Sequence, residues 1–223
     1  MELLQLIRLH LALECVGVDC TGRLVRIPGP DPDTLHRVYV TRHNQGDTVY
    51  FRVGLSQSLC EKLLKLPVSA YFEAPGQIQV VLWEDEPCEE VHIGKSYVFP
   101  NSISPKDFPD VVRISQLDRD VVRRYDPGLA EIAREAFAVL VDGEIVSSCE
   151  SSRENDRAGE AWVRTLEGYR RRGFARQVTA AWGYWLLQQG KVPFYSHRWE
   201  NIVSQAVAQS LGLLPYIEDA GYA

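Results

Sequence analysis

The sequence predicts a mixed α/β protein in two regions, and three observations carry that prediction. After residue 106, β-branched runs and amphipathic stripes alternate in the order β-β-β-loop-α-β-α. Before it, shorter runs of both kinds read as a smaller α+β region. Between them FPNSISPKDFPD, residues 99–110, carries three prolines and several turn formers, which reads as a linker. The division is 1–105 for an N-terminal α+β region of unassigned role and 106–223 for the domain that carries chemistry.

In chain order, Val38–Arg42 and Thr48–Val53 are β-branched or aromatic runs joined by HNQG, a hairpin signal. SQSLCEKLLKL has helical spacing, with Leu59, Leu63 and Leu66 on one face and Pro67 as a stop. Gln77–Trp83 reads as a strand. Phe137–Val141 and Glu144–Ser148 flank an Asp-Gly turn and form a second hairpin. Glu160–Leu166 is a third strand. The loop YRRRGFAR leads into a helix from about Ala175 to Gln189, where Val178, Trp182, Trp185 and Leu186 share one face and Gly190 ends the run. Val192–Ser196 is the next strand. Asn201 opens a second helix with Val203, Val207 and Leu211 along one face and Gly212 as its stop.

Composition removes several classes. Lys and Arg number 24 against 30 Asp and Glu, a net charge of −6, so a broad nucleic-acid-binding face is disfavoured. The five cysteines, Cys15, Cys20, Cys60, Cys88 and Cys149, are scattered, with no CxxC pair and no Cys/His ligand spacing. Neither a zinc site nor a disulfide framework is expected, and no metal. MELLQLIRLHLALECVG is broken by Glu2, Arg8, His10 and Glu14, unlike a signal peptide, and no apolar run reaches membrane-spanning length. A cytoplasmic protein with no membrane or nucleic-acid partner is the expectation.

The chemistry concentrates at Arg170, Arg171, Arg172, Gly173, Phe174, Ala175 and Arg176, between a strand and a helix. Free N–H groups at a helix start, in the positive end of its dipole, donate to phosphate oxygens, and arginines add forked donors. Gly173 permits close approach of a diphosphate. Neither GxxxxGK[ST] nor GxGxxG is present, so P-loop and dinucleotide-fold readings lack support. An Arg-rich surface turn is the alternative for the loop alone.

The pattern Arg170-x-x-Gly173-x-Ala175, the element order and the later segment ENIVSQAVAQSLGL together resemble the GCN5-related N-acetyltransferase (GNAT) superfamily, over about Phe137 to Leu213. The resemblance implies a mixed central sheet flanked by helices, with acetyl-CoA as acyl donor. It implies pantetheine contacts on the main chain of Val163, Arg164 and Thr165, a diphosphate on the 171–176 amides, and a cofactor contact at Asn201, which also fits a plain helix cap. Many family members carry a Tyr seven residues after that Asn as general acid; here Ala208 stands there, so either Tyr195, Ser196, Ser204 or Tyr216 substitutes or the thiolate leaves unaided. Glu150, Glu160 and His197 are candidate bases, and Glu160, His197 and Tyr216 are the catalytic assignments carried forward. Cys149 reads as a small buried residue and the tryptophans as core or substrate-wall aromatics. The expected function is acetyl transfer to a primary amine of a small molecule or protein, with a homodimer open as the assembly. The alternatives are a non-catalytic acyl-CoA-binding module with the same fold and an adaptor that binds protein through its first hundred residues.

Overall fold

The computed structural model describes residues 2–29, 35–132 and 134–223. By contact the chain forms two compact units: residues 1–96, 196–201 and 215–223, and residues 97–195 and 202–214. Each unit therefore takes residues from both sides of the 105/106 position.

The first unit opens with helix α1 (Leu3–Leu13), whose Ile7 and Leu11 are buried one turn apart. A short hairpin follows, β1 (Val16–Val18) and β2 (Leu24–Arg26). The expected hairpin is β3 (Val38–His43) with β4 (Gly46–Phe51), and its register closes at His43↔Gly46 around Asn44 and Gln45. Helix α2 (Gln57–Leu64) is capped by Ser56, whose Oγ accepts from the Leu59 N–H at 3.2 Å. Then come α3 (Ala70–Glu73), α4 (Pro75–Leu82) and β5 (Val91–Val98).

Helix α4 corrects the strand expected at Gln77–Trp83. Pro75 occupies the first helical turn, where its missing N–H costs nothing, and Ile78 and Leu82 are buried one turn apart. The run is too short and too apolar for periodicity to separate helix from strand. Arg37 secures its end: the buried guanidinium donates to the Leu82 and Glu86 carbonyls at 2.9 and 2.7 Å and pairs with Asp85. That places a cation at the negative end of the helix dipole.

The second unit contains β6 (Val111–Arg113), α5 (Arg119–Tyr125), β7 (Phe137–Val141), β8 (Glu144–Glu154), β9 (Ala158–Thr165), α6 (Phe174–Gln188), β10 (Val192–Arg198, to Tyr195 in this unit) and α7 (Ile202–Ser210). Its sheet order is β10-β9-β8-β7-β6, with β10 and β9 parallel and the other pairs antiparallel. The β7–β8 turn has Asp142 at φ 51° and Gly143 at φ 81°, the conformation an Asp-Gly hairpin turn requires. Helix α6 packs Val178, Ala181, Trp182 and Leu186 into a core with Phe137, Val139 and Cys149.

Two expectations change here. The proline-rich run is packed: Phe99 and Ile103 are buried, and Phe99 meets Trp182 edge-on at 5.6 Å. On α7 the buried side is Ala208 with the following Leu211, whereas Val203 is 65% exposed. A last strand, β11 (Leu214–Tyr222), was not anticipated; it pairs antiparallel with β3 in the first unit, Tyr222 opposite Val38. Its alternation is blurred by Pro215, Glu218, Asp219 and Gly221.

Candidate functional site

The site is built on the edge of β9. Its parallel register with β10 runs Val192↔Ala158, Pro193↔Gly159 and Phe194↔Glu160, and no later pair forms between them among the described residues. Strand β9 nonetheless continues to Thr165, held on its other side by β8.

Main-chain alternation decides which groups the splay leaves open. The Leu166 N–H donates to the Val146 carbonyl, so the main chain of Arg164 and Trp162 also points into the β8 ladder. The Arg164 carbonyl accepts from Ser147 Oγ and Tyr125 Oη, each at 3.2 Å. The N–H and C=O of Val163 and the N–H of Thr165 therefore face the edge β10 has vacated. The Thr165 carbonyl accepts from Arg170 Nε at 3.4 Å. Of the three expected backbone contacts, Val163 and Thr165 lie on the open edge and Arg164 does not.

Beyond Thr165 the chain turns through Arg171 at φ 60° and Gly173 at φ 82° into α6. No side chain caps this helix, and its first backbone bond is from the Gln177 N–H to the Gly173 carbonyl. The N–H groups of Phe174, Ala175 and Arg176 precede that bond, at the positive end of a 15-residue helix. A Cβ at Gly173 would meet open space, so it is the left-handed backbone that calls for glycine.

The four arginines differ. Arg170 and Arg171 are exposed. The Arg172 guanidinium stacks over Tyr169 at 5.4 Å and Phe174 at 5.0 Å. Arg176 is committed to the fold: it pairs with Asp107 at 3.1 Å and donates to the Asp107 and Ser210 carbonyls, both at 3.2 Å. Hydrogen bonds from Ser104 and Arg176 hold the Asp107 carboxyl below its ordinary range.

The catalytic assignments divide between the units. Glu160, buried on β9, forms an ion pair with Arg153 at 2.9 Å. His197 and Tyr216 belong to the first unit: His197 is buried with Nδ1 2.9 Å from the Arg198 carbonyl, and the Tyr216 hydroxyl meets His10 Nδ1. Asn201 is exposed and immediately precedes α7, its N–H donating to the Arg198 carbonyl at 2.9 Å. Tyr195 is buried, donates to the Ser204 carbonyl at 3.3 Å, and is pushed by burial to about 12. Cys149 is fully buried and its thiol lies well above the ordinary range, which suits packing and not nucleophilic attack.

The opposite face of β8 and β9 holds a second group of polar and aromatic residues. Glu150 is half-buried, and burial and the nearby Asp126 raise its proton affinity, partly offset by Arg134. Its register partner Trp162 is 62% exposed, not core. Tyr125 Oη accepts from Ser148 Oγ at 3.1 Å, and Asp126 pairs with Arg164 at 2.8 Å. The motif RRYDPG, with its Pro-Gly turn, marks where α5 delivers Tyr125 and Asp126, but no local pattern shows what they meet.

A family model described as GNAT acetyltransferase matches residues 136–222. No curated protein sequence matches the chain at significance. A solved GNAT-family protein from Novosphingobium aromaticivorans is 16% identical with a TM-score of 0.50, over 60% of this chain and 65% of that one. A GNAT-family acetyltransferase from Colwellia psychrerythraea is 14% identical with a TM-score of 0.50, over 78% of this chain and 75% of that one. At such identities these structures speak for the fold. The chain spans just under two thirds of the length of the first. With the splayed strand and the uncapped helix, the family match and the shared fold place the segment 136–222 in the GNAT superfamily.

Proposed function

We propose that this protein is an acetyl-CoA-dependent N-acetyltransferase acting directly on a primary amine. The single observation that carries the reading is the open edge of β9, which ends at the uncapped start of α6. An amide-bearing arm can add there as a strand, and a diphosphate can follow it onto free N–H groups. Acetyl-CoA has that composition, and when bound it supplies a thioester whose carbonyl carbon takes the amine nitrogen, a C–N bond forming as the C–S bond breaks.

The residues divide the work by position. Val163 and the Thr165 N–H hold the arm through main-chain bonds, and the 174–176 amides hold the diphosphate, with Arg170 and Arg171 adding charge. Arg176 contributes its amide, and its side chain fixes the loop against Asp107. The amine loses one proton overall and coenzyme A leaves as a thiol, so no redox partner is needed. The five free cysteines suit a reducing, cytoplasmic site of action, and no helix among the described residues is long and apolar enough to cross a membrane.

A second reading, a coenzyme A-binding module without turnover, is favoured by one observation. Ala208 is fully buried where many family members carry the phenol that protonates the leaving thiolate. Calorimetric titration with coenzyme A, followed by thiol release from acetyl-CoA with added primary amines, separates the outcomes. Binding with turnover supports the transferase, binding without turnover supports the module, and absence of binding overturns both.

A further inference from the structure

The second unit neutralises its partly buried carboxylates with cations: Glu160 with Arg153, Glu154 with Lys191, Asp126 with Arg164 and Asp107 with Arg176. Glu150 departs from this pattern. It is half-buried on β8, its carboxylate has no side-chain hydrogen bond or ion pair among the described residues, and Arg134 acts on it through charge alone. Tyr125 and Asp126 lie near it, and the Asp126 charge makes its own negative charge costlier still. A carboxylate left in that state is stabilised by whatever cation arrives.

The neighbour across the ladder specifies the cation's chemistry. Trp162 is the register partner of Glu150, so both side chains leave the same face of the sheet, and the indole is largely exposed. A carboxylate beside an accessible indole suits an alkylammonium: charge to the carboxylate, methylenes and residual charge to the ring.

Position along the sheet says which ammonium. This step rests on the proposed function, in which the acyl donor's arm lies one strand spacing beyond β9. Strand β8 lies one spacing on the other side, so about 9.5 Å separates the arm from the backbone that carries Glu150. Glu150 is therefore out of direct hydrogen-bond reach of the nitrogen that attacks the thioester. A second ammonium on the same acceptor, roughly 6 Å from the first, spans the gap once a hydrogen bond of about 3 Å to the carboxylate is allowed for.

We propose that Glu150 and Trp162 form a specificity seat for a second cationic group, so that the acceptor is a diamine or polyamine chain and not a simple monoamine. The test compares 1,4-diaminobutane and spermidine with n-butylamine on the full chain, in wild type, Glu150→Gln, Glu150→Asp and Trp162→Ala. Two readouts are used: kcat/KM from thiol release, and calorimetric binding of spermidine to the protein saturated with coenzyme A.

Wild type should favour the diamine over butylamine by about a hundredfold, chiefly in KM, as expected for a charge-assisted contact. Glu150→Gln should reduce that ratio to within about threefold and abolish spermidine binding, while Glu150→Asp keeps part of both. Trp162→Ala should weaken spermidine binding without affecting that of coenzyme A. A wild type with no preference for the diamine, or a Glu150→Gln variant that keeps the preference and the spermidine binding, overturns the seat. So does coenzyme A binding in the absence of any spermidine binding. Failure to bind coenzyme A is a different result: it removes the underlying transferase reading, and this inference with it.

Discussion

Glu160 and Phe194 form the last rung between β9 and β10, and among the described residues the five of β9 after that rung keep only β8 as a strand partner. The rung sets the length of open edge, and alternation sets which of its amides are free. Because the ladder to β8 uses Arg164, the neighbouring Val163 faces outward with both its N–H and its carbonyl.

That relationship separates two proline substitutions one residue apart. Val163→Pro removes an outward N–H and should reduce coenzyme A affinity by at least about tenfold, with a moderate loss of thermal stability. Arg164→Pro removes a ladder bond in the middle of the sheet and should prevent stable folding. Circular dichroism melts and calorimetry of both variants check the pair; equal damage to folding from the two would contradict the assigned alternation.

Gly173 is required for its backbone and not for space. Gly173→Asn, which tolerates a left-handed conformation, should keep coenzyme A affinity within about threefold of wild type. Gly173→Val should lose about 1–2 kcal/mol or more in strain and weaken coenzyme A binding. Calorimetry on the two variants reads the difference, and a valine variant that binds as tightly as wild type would make the loop a mere surface turn.

The arginines should divide by role. Arg176→Ala breaks the tie to Asp107 and the Ser210 carbonyl and should lower Tm by about 2–4 °C. Arg171→Ala should leave Tm unchanged and weaken coenzyme A binding by about tenfold at low salt, less at high salt. Thermal melts and titrations at two ionic strengths check this, and a reversed pattern would contradict it.

Glu150 gives a pH signature of its own. Its raised proton affinity in the folded chain means that the native state binds this proton more tightly than the unfolded state. Stability from this group is therefore highest at low pH and falls as pH rises from the ordinary Glu value of about 4.3 through the raised folded value. Glu150→Gln removes the penalty, so the variant should melt higher than wild type at neutral pH, with the gap closing as pH falls below the ordinary Glu range. Melting curves across that range decide it, and a variant less stable than wild type at neutral pH would contradict the assigned environment.

The parts legible in the sequence are those whose signals are local. The Asp-Gly turn at Asp142 and Gly143, the α6 stripe and the arginine–glycine loop each declare themselves within a few residues. What was not legible depends on partners far along the chain. Gln77–Trp83 is apolar enough for either helix or strand, and Pro75 together with the burial of Ile78 and Leu82 decides for helix. Strand β11 exists because β3 offers Val38–Arg42 as a ladder, a pairing no window around Pro215–Tyr222 contains. At the candidate site the loop was readable, but its arginines were not separable until Asp107, 69 residues away, was seen to hold Arg176. Likewise Glu150 and Trp162 look unrelated in sequence and become neighbours only through the β8–β9 register.

The most direct test of the central claim is residue-resolved amide hydrogen exchange of the full chain with and without saturating coenzyme A. The Val163 and Thr165 amides should exchange readily alone and become protected with coenzyme A, while the Arg164 amide is protected in both states. Unchanged exchange at Val163 and Thr165 with coenzyme A demonstrably bound would contradict it, because the arm would then lie somewhere other than the open edge of β9.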